Sequence, residues 1–382
     1  MRVPDPGLGA GNPRAYEMIL AIKKLGYQLT VYPHTVKTLP ENLKNEYQKA
    51  GVEIIKEEED LFAPQNKNRY HIVIVSRPDV FAAVRVRMRE HFPKAALIYD
   101  AEALFSAREI LKHRLFGNEK AEQEAEKGLA GELRLAGKAD YVISVSSKEM
   151  KKIKEGAGIR NISIWGQALD PSDTNPDFSG RAGMFFVGGY LEPGSPNEHA
   201  ITRFAGSIMP KLGGCAGTLR IAGMDPCDSI RALSSSSVKV LGYVPDLLPE
   251  YENARLFVVP HLFSAGIPAK LLEAMSFGLP AVISRHIADQ MEIKEEEMFL
   301  IADDDAMFAS KILRLYGDEA LWHRLRRNAL FFIRENYSAE KMTRRLGKIF
   351  HAALAVRRQR KIRTAFGLLL KAAGLGRKEQ HG

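Results

Sequence analysis

The feature that most constrains the fold is an alternation of short β-branched runs with longer helical patterns, which occurs twice along the chain. This rhythm is typical of crossover units, in which parallel strands form a sheet with helices on both faces. In the first half it predicts strands at 28–33, 52–55, 71–75, 95–99, 141–145 and 162–165. In the second half it predicts strands at 184–187, 218–222, 238–241, 256–259, 281–284 and 298–301. The sequence therefore predicts two doubly wound α/β domains.

The segment between the two halves is rich in Pro, Asp, Ser and Gly, a composition that indicates a linker at 171–183. We expect an N-terminal domain at 1–170 and a C-terminal domain at 184–337. A helix at 338–356 would return toward the N-terminal domain, and a basic tail would follow at 357–382. Two hinged domains of this kind form a cleft between the carboxyl ends of their strands, where ligands bind.

The first domain departs from the usual order at its start. A Gly-rich turn and a helix begin almost at Met1, with no strand-like run before them, so the first strand is apparently missing. A central parallel strand is buried on both faces, and its loss would be costly. Either the chain is truncated at its start or the domain is built around a gap. We expect truncation, which puts the activity of this chain in question.

Composition excludes several classes of protein. No apolar run approaches the ~20 residues that a membrane-spanning helix needs, and the N-terminus has no apolar signal-peptide core. The two cysteines, Cys215 and Cys227, suggest neither a disulfide framework nor a metal cluster. We therefore expect a cytoplasmic protein with no cofactor and no metal site.

The net charge of +9 arises largely in the tail, where basic residues alternate with apolar ones from Arg357 to Lys378. A basic segment with an apolar side can lie on an anionic membrane, here the inner face of the cytoplasmic membrane. A solvated C-terminus is an equal alternative. Nucleic-acid binding is the least favoured interpretation, because no interleaved aromatic residues offer a stacking platform.

Residues 260–284, PHLFSAGIPAKLLEAMSFGLPAVIS, carry the strongest functional pattern. A strand ends at Pro260, a turn of small residues follows, and Pro268 suits the first turn of a helix. The start of such a helix presents unpaired N–H groups and a positive dipole end, which together bind anions. Lys270 could meet a diphosphate there, and Glu273 could accept hydrogen bonds from ribose hydroxyls. In isolation, such a pair is more often an ordinary surface Lys and Glu.

This segment resembles the signature of the large retaining glycosyltransferase family 4, the glycosyl transferases group 1. In that family two glutamates stand eight positions apart, and Glu273 matches the second, which contacts the donor ribose. Ala265 stands where the first would face the donor sugar. The chain is closer to a branch whose turn reads Gly-Ala-Gly and whose helix begins with a lysine, which Lys270 matches. The departure at Ala265 leaves the identity of the sugar open.

Upstream segments resemble the rest of the family's donor domain in order and spacing. Residues 185–197 resemble its opening strand and Gly turn, 218–223 its next strand, and 240–260 its base-binding loop. Many members carry an Arg and a Lys beyond the Gly turn, whereas this chain has Tyr190, Glu192 and Asn197. Asp246 is expected to cap a helix. The donor-binding residues that the resemblance implies are Gly188, Gly189, Gly223, Tyr243, Val244, Ser264, Ala265, Gly266, Ile267, Lys270, Leu271 and Glu273.

Three patches of the first half would face the same cleft. The turn at 7–14 permits close backbone approach at Gly9 and Gly11, and its Arg14 could hold an anionic group. Arg77 follows the strand at 71–75 and is a second acceptor-side candidate.

Asp100 and Glu102 follow the strand at 95–99, where family members, by resemblance, present an acidic or histidine residue to the acceptor. They are our catalytic candidates, because carboxylates at the end of a buried strand are costly unless hydrogen-bonded or functional. The two would lie on alternate sides of a continued strand, so at most one should face the ligand. That both cap the following helix is an equal alternative.

The resemblance implies a GT-B fold of two Rossmann-like domains and an enzyme, a hexosyltransferase type of glycosyltransferase in cell-envelope polysaccharide biosynthesis. It would transfer a sugar from a nucleotide diphosphate sugar to a hydroxyl of a glycan or lipid-linked acceptor, with retention and without a metal ion. The alternatives are an inactive, truncated nucleotide-sugar binder and a sugar-nucleotide epimerase of the same fold. A dinucleotide oxidoreductase is less favoured, because the glycines at 7, 9 and 11 do not follow a strand.

Overall fold

A computed structural model of the 382-residue chain describes residues 3–8, 11–36, 40–172, 178–293 and 297–372. All the strands that pair in its sheets are parallel. The strands that the sequence predicts are present, and the largest difference is at the seventh, which extends to Tyr190. The prediction of two α/β domains is confirmed.

The first domain contains six strands, seven α-helices and a short 3₁₀ helix (Pro64–Asn66) among the described residues. The strands are β1 (Leu29–Val31), β2 (Val52–Ile54), β3 (Ile72–Ser76), β4 (Ala96–Asp100), β5 (Tyr141–Ser144) and β6 (Ile162–Ile164). The helices are α1 (Asn12–Lys24), α2 (Glu41–Lys49), α3 (Glu58–Leu61), α4 (Pro78–His91), α5 (Phe105–Leu115), α6 (Glu119–Ala136) and α7 (Ser147–Gly156).

The second domain and the C-terminal region contain six more strands, eight α-helices, a π-helical turn (Phe204–Ile208) and a 3₁₀ helix (Met209–Leu212) among the described residues. The strands are β7 (Met184–Tyr190), β8 (Leu219–Met224), β9 (Val238–Gly242), β10 (Leu256–Val259), β11 (Ala281–Ser284) and β12 (Phe299–Ala302). The helices are α8 (Pro196–Arg203), α9 (Asp228–Arg231), α10 (Leu248–Asn253), α11 (Ala269–Ser276), α12 (Arg285–Met291), α13 (Asp305–Gly317), α14 (Glu319–Asn336) and α15 (Ala339–Ala372).

The sheet of the second domain is continuous, with the strand order β12-β11-β10-β7-β8-β9. Its central strands are apolar runs, and every residue of β10 and β11 is buried. Separate hydrophobic clusters cover the two faces of the sheet, as expected for a doubly wound domain. The carboxyl ends of β7 and β10 are thereby fixed side by side, and the loops that follow them form the donor-side candidates.

The sheet of the first domain is interrupted. Strands β3, β4, β5 and β6 form one sheet in that order, and β1 pairs with β2 in a separate two-stranded sheet. A cavity of about 880 Å³ lies between β1 and β3, and both strands contribute to its lining. Among the described residues no strand lies between β1 and β3. This is the region where the sequence predicts a missing strand.

Helix α15 packs against α1 and the first-domain sheet instead of the domain it follows in sequence. Its Met342, Leu346 and Phe350 are buried in a cluster with Trp165. The helix continues past Val356, where the sequence predicts the start of a separate tail. The helix-forming residues there include no proline, and Arg360 pairs with the buried Asp140 at 2.9 Å. No helix among the described residues is long and apolar enough to cross a membrane.

The predicted linker includes residues that pack against the second domain. Residues 173–177 lie outside the described part of the chain. After them Phe178 packs edge-on against Trp322, and the guanidinium of Arg181 donates to the carbonyls of Tyr251 and Ala254. These side chains of the predicted linker therefore pack against the second domain.

Phe350 offers a test of the docking of α15. The Phe350→Ala variant removes a ring that is 2% exposed and lies 5.4 Å from that of Tyr27, so we expect a loss of about 3–5 kcal/mol in unfolding free energy. Denaturant unfolding measures the loss. The control is Phe331→Ala, whose ring is 65% exposed on α14, and a similar loss in both variants would contradict this packing.

Candidate functional site

The turn that joins β10 to α11 lies against the first domain. We call its residues 264–267 the donor turn. Gly266 has a left-handed φ of +66°, and its N–H donates to a carboxylate oxygen of Glu149 at 3.1 Å. A side chain at Gly266 would meet Val145 at 3.1 Å, which explains the glycine. The donor turn therefore sits at the junction of the two domains.

The ammonium of Lys270 is surrounded by neutral groups. It donates to the side-chain oxygen of Asn197, lies 3.4 Å from Nε2 of His261 and sits 4.8 Å from the ring centre of Phe186. Among the described residues it forms no salt bridge with a carboxylate. Burial therefore lowers the pKa of Lys270 to about 7.

His261 does not compete with Lys270 for charge. Burial, followed by the nearby Lys270 ammonium, lowers the pKa of His261 well below its usual value. Its Nε2 lies 3.0 Å from the same Asn197 oxygen, and its ring stacks on Phe186. The imidazole is therefore neutral near pH 7, and Lys270 is the cation of this cluster.

Glu273 lies one turn along α11 from Lys270 and is half-buried. Burial raises the pKa of Glu273, and the neighbouring Tyr251 hydroxyl lowers it again in part. Tyr251 is itself fully buried and stacks on Phe277. Lys270 and Glu273 are both half-buried, so the interpretation of this motif as an exposed surface pair does not describe the structure.

The other predicted residues of the donor turn and α11 are placed differently. Leu271 is fully buried in the core, and its N–H donates to the carbonyl of Pro268. Ile267 packs against the same core cluster, and Ala265 is half-buried beside it. The hydroxyl of Ser264 lies 2.9 Å from Nε2 of His286. These residues determine the conformation of the turn. The positively charged side chain of the motif is that of Lys270, which lies on α11.

The two Gly turns of the second domain pack directly against each other. A side chain at Gly223 would come within 2.2 Å of the Gly188 carbonyl oxygen, and one at Gly188 would come within 3.1 Å of Asn197. Gly189 follows in β7. The absence of Cβ atoms thus brings β7, β8 and the Asn197 side chain together beneath Lys270.

The predicted base-binding segment lies at the opposite end of this region. Tyr243 is 54% exposed, and a side chain at Gly7 would lie 3.7 Å from its hydroxyl. Val244 packs partly on the second-domain core. Asp246 accepts a hydrogen bond from the Leu248 N–H at 3.0 Å, but the N-cap position of α10 is Leu247, so Asp246 is not the N-cap that the sequence predicts.

Arg14 and Asp100 form a buried ion pair. The guanidinium of Arg14 makes two hydrogen bonds, of 2.8 and 2.9 Å, to the two carboxylate oxygens of Asp100 and also donates to the Trp165 carbonyl. Ser76 donates to the same carboxylate at 3.0 Å. Arg14 therefore holds an internal carboxylate instead of the ligand anion that the sequence suggests, and Asp100 does not cap a helix.

Glu102 and Arg77 form a second pair at the ends of neighbouring strands. They are 3.0 Å apart, and both have left-handed backbones, with φ of +54° for Glu102 and +74° for Arg77. Such conformations are strained for these residues and concentrate at functional sites. A side chain at Gly11 would lie 3.0 Å from the Glu102 carboxylate. Gly9 lies outside the described residues.

Glu102 is protonated more readily than an exposed carboxyl group. Burial, and then the neighbouring Asp100, raises the pKa of Glu102, while Arg77 and Arg14 lower it. Glu102 does not cap α5, whose preceding residue makes no side-chain capping bond. Of the two predicted catalytic carboxylates, Glu102 is therefore the one whose oxygens are not enclosed in a bidentate ion pair.

Glu149 connects the two sides of the site and was not among the residues predicted from the sequence. One of its carboxylate oxygens accepts the N–H groups of Leu104 and Gly266, both at 3.1 Å. Burial raises the pKa of Glu149, and these two donors lower it in part. Glu149 lies 45 residues from Leu104 and 117 residues from Gly266 in the sequence, so no local pattern predicts these two contacts. Asn197 was noted only as a departure from the family's basic residue.

Breaking the Arg14–Asp100 pair should destabilise the first domain. Asp100→Asn leaves the buried Arg14 guanidinium with neutral acceptors only, and we expect a loss of about 3–5 kcal/mol in unfolding free energy. Replacing both residues, by Arg14→Met with Asp100→Leu, should cost less than the sum of Arg14→Met and Asp100→Leu made singly. Denaturant unfolding of the three variants measures this coupling, and additive losses would contradict it.

The comparisons with known proteins concern both the second domain and the whole fold. Residues 182–318 match the family model of Glycosyl transferases group 1. A curated relative, an exopolysaccharide phosphotransferase of Streptomyces coelicolor, is 33% identical over 140 residues. That match covers 34% of this chain and 14% of the relative, so the chain spans a small part of that protein's length.

Solved structures match over almost the full chain. Sucrose-phosphate synthase from Thermosynechococcus elongatus has a TM-score of 0.67 at 15% identity, covering 91% of this chain and 94% of that one. Anabaena Alr3699/HepE in complex with UDP-glucose has a TM-score of 0.64 at 15% identity, covering 90% and 97%. These likenesses show a shared architecture. The chain therefore has the GT-B fold, and its residues 182–318 are similar to the glycosyl transferases group 1.

Proposed function

We propose that this chain is a glycosyltransferase that moves a sugar from a nucleotide diphosphate sugar to a hydroxyl of a glycan or lipid-linked acceptor. The observation that carries the proposal is the Lys270 ammonium, which is desolvated and held by neutral groups at the start of α11. A cation in this state gains strongly from a bound anion, because the cost of removing it from water has already been met.

The chemistry requires a place for the charge that develops on the leaving diphosphate. Lys270 and the positive dipole end of α11 would stabilise that charge, and both are in place before the reaction begins. Because this arrangement supplies positive charge from the protein itself, we propose that the transfer does not require a metal ion. By resemblance to the family, the anomeric configuration would be retained.

The remaining donor contacts follow from the order of the residues around Lys270. Glu273 would accept hydrogen bonds from the ribose, and the backbone at Tyr243 and Val244 would meet the nucleobase. The Anabaena neighbour has been solved in complex with UDP and with UDP-glucose, which supports a nucleotide-sugar donor for this architecture. Ala265 leaves the sugar-facing position of the turn without a carboxylate.

We assign Glu102 to the acceptor side. Its carboxylate is anchored by Arg77 and faces Gly11, where the chain lacks a side chain that would block approach. In its ionised form it would accept the proton of the attacking hydroxyl or orient that hydroxyl. Arg14 and Asp100 would support this residue from below.

We further propose that the protein acts in the cytoplasm, at the inner face of the membrane, with the basic end of α15 toward anionic lipid. The support is the excess of Arg and Lys after Val356. Arg357 and Arg360 contact the first domain, which would hold this end of the helix in a fixed direction.

The donor site is tested by thermal shift with UDP, GDP, ADP and their glucose conjugates. We expect one diphosphate series to raise the melting temperature, because a ligand that binds only the native state stabilises it. Lys270→Met should weaken that ligand by about 10–100-fold. The exposed Lys239→Ala on β9 is the control and should bind as the wild type does.

The same variant separates a ligand-binding lysine from a structural one. Because burial lowers the pKa of Lys270 to about 7, its protonation at pH 6 costs folding free energy. Lys270→Met should therefore raise the melting temperature of the free protein at pH 6 and change it less at high pH. A lower melting temperature together with unchanged nucleotide binding would refute the proposed donor site.

Glu102→Gln tests the acceptor side. We expect kcat to fall about 10²–10⁴-fold while donor binding and melting temperature stay close to wild type. In the wild type, kcat should fall as the pH drops through the raised pKa of Glu102, because the ionised form is the active one. Glu124→Gln, on the exposed face of α6, is the control. An unchanged kcat in Glu102→Gln would rule out this role.

A further inference from the structure

The carboxyl end of α5 contacts the second domain. Phe116, the residue that ends this helix, lies edge-on to the rings of His199 and Phe263, with ring centres 5.4 and 6.1 Å apart. Aromatic rings attract each other at such separations. Phe263 directly precedes the donor turn, and His199 lies on α8. The end of α5 therefore docks on the donor side of the cleft.

Lys112 lies one helical turn before Phe116, on the same face of α5. A side chain at Gly194 would lie 3.5 Å from the ammonium nitrogen of Lys112. Gly194 belongs to the loop between β7 and α8, and its φ of +68° is one that glycine adopts without strain. The docking of Phe116 therefore holds the Lys112 ammonium over a loop of the second domain.

Within the described part of the chain, the Lys112 ammonium has neither a salt bridge nor a hydrogen bond. The Glu198 carboxylate, at the start of α8, makes other contacts. Its two oxygens accept the Gly194 N–H at 3.3 Å and the Ser229 hydroxyl at 2.8 Å. Lys112 is half-buried, and partial removal of a lysine from water without an opposite charge costs free energy. An anion bound at this place would offset that cost.

A purely helical role does not account for the position of Lys112. A basic residue in the last turn of a helix interacts favourably with the negative end of the helix dipole. Arg114, in the same turn, fits that role, and it pairs with Glu122 of the first domain. The Lys112 side chain instead extends to Gly194 of the other domain. Its direction therefore indicates a partner in the cleft.

The loop beneath Lys112 leads directly to the cluster around Lys270. Asn197, three residues after Gly194, accepts a hydrogen bond from the Lys270 ammonium. Three residues span at most about 11 Å, so the two ammonium groups contact the two ends of one short segment. The diphosphate of a nucleotide sugar carries a negative charge on each phosphate, and Lys270 can neutralise only one of them. The second charge is within the region that Lys112 approaches.

We propose that Lys112 binds the donor diphosphate together with Lys270, so that each domain contributes one cation to the same ligand. The inference rests on the proposed function, since it assigns Lys112 to the donor of that reaction. Lys112 approaches Gly194 where α5 docks through Phe116. A bound diphosphate therefore favours the arrangement in which the two domains are in contact, because only that arrangement supplies both cations.

The test measures the dissociation constants of UDP, GDP and ADP by calorimetry. For the nucleotide that binds the wild type, we expect Lys112→Met to weaken binding by about 5–20-fold, because a half-buried charge contact is lost. Lys112→Arg keeps the charge and should bind within about threefold of the wild type. The matched control is Lys120→Met, which removes the same charge from an exposed position on α6 of the same domain.

Phe116→Ala tests the docking that places Lys112. We expect it to weaken the same nucleotide by about 3–10-fold, because the aromatic contacts between the domains are lost. Combined with Lys112→Met, it should add little further weakening, since both changes remove the same contact. Phe116 is 56% exposed, so the melting temperature of the free protein should stay close to that of the wild type. Leu115→Ala, 44% exposed at the same helix end, is the control.

Weakening that is confined to Lys112→Met and Phe116→Ala, and that is absent in Lys112→Arg, supports the proposal. Equal binding by Lys112→Met and the wild type, or equal weakening by Lys112→Met and Lys120→Met, would overturn it and leave the donor site at Lys270 standing. Full multiplication of the two losses in the double variant would show that Phe116 does not place Lys112. A wild type that binds none of the three nucleotides would remove the proposed function and this inference together.

Discussion

The desolvated ammonium of Lys270 is the interaction on which the account of this protein depends. A lysine surrounded by an amide oxygen, a neutral imidazole and an aromatic ring gives up hydration without gaining an opposite charge. Its lowered pKa reflects that cost. The arrangement becomes favourable when an anion is supplied, and Lys270 lies in the first turn of α11, where the positive end of the helix dipole also attracts an anion. A diphosphate suits both features.

The rest of the site brings the two domains to this cation. Gly188 and Gly223 allow β7 and β8 to approach closely enough for Asn197 to reach Lys270. The Glu149 carboxylate accepts hydrogen bonds from both the donor turn and the loop that follows β4. A movement of one domain would therefore displace the groups that it contacts on the other domain. The Arg14–Asp100 pair fixes the opposite wall, and the strained Arg77–Glu102 pair lies above it.

Local patterns in the sequence predicted the strands and helix α11. The β-branched runs that mark the strands, and the Pro268 and Gly278 that mark the ends of α11, lie within a few residues of the elements that they predict. Contacts between distant segments could not be predicted in this way. Arg14 was expected to hold a ligand, but its partner is a carboxylate 86 residues away. The basic residues after Val356 were interpreted as a separate tail, so the continuation of α15 was not predicted. One of them, Arg360, instead pairs with the buried Asp140.

The most direct measurement of the central claim is the proton count on donor binding. A nucleotide diphosphate sugar has no group that titrates near neutrality, so calorimetry in buffers of different ionisation enthalpy reports on the protein alone. Working about one unit above the Lys270 pKa of about 7, we predict uptake of close to one proton by the wild type. The Lys270→Arg variant should take up none, because its guanidinium is already protonated. Binding without proton uptake by the wild type, or equal uptake by both proteins, would contradict the claim.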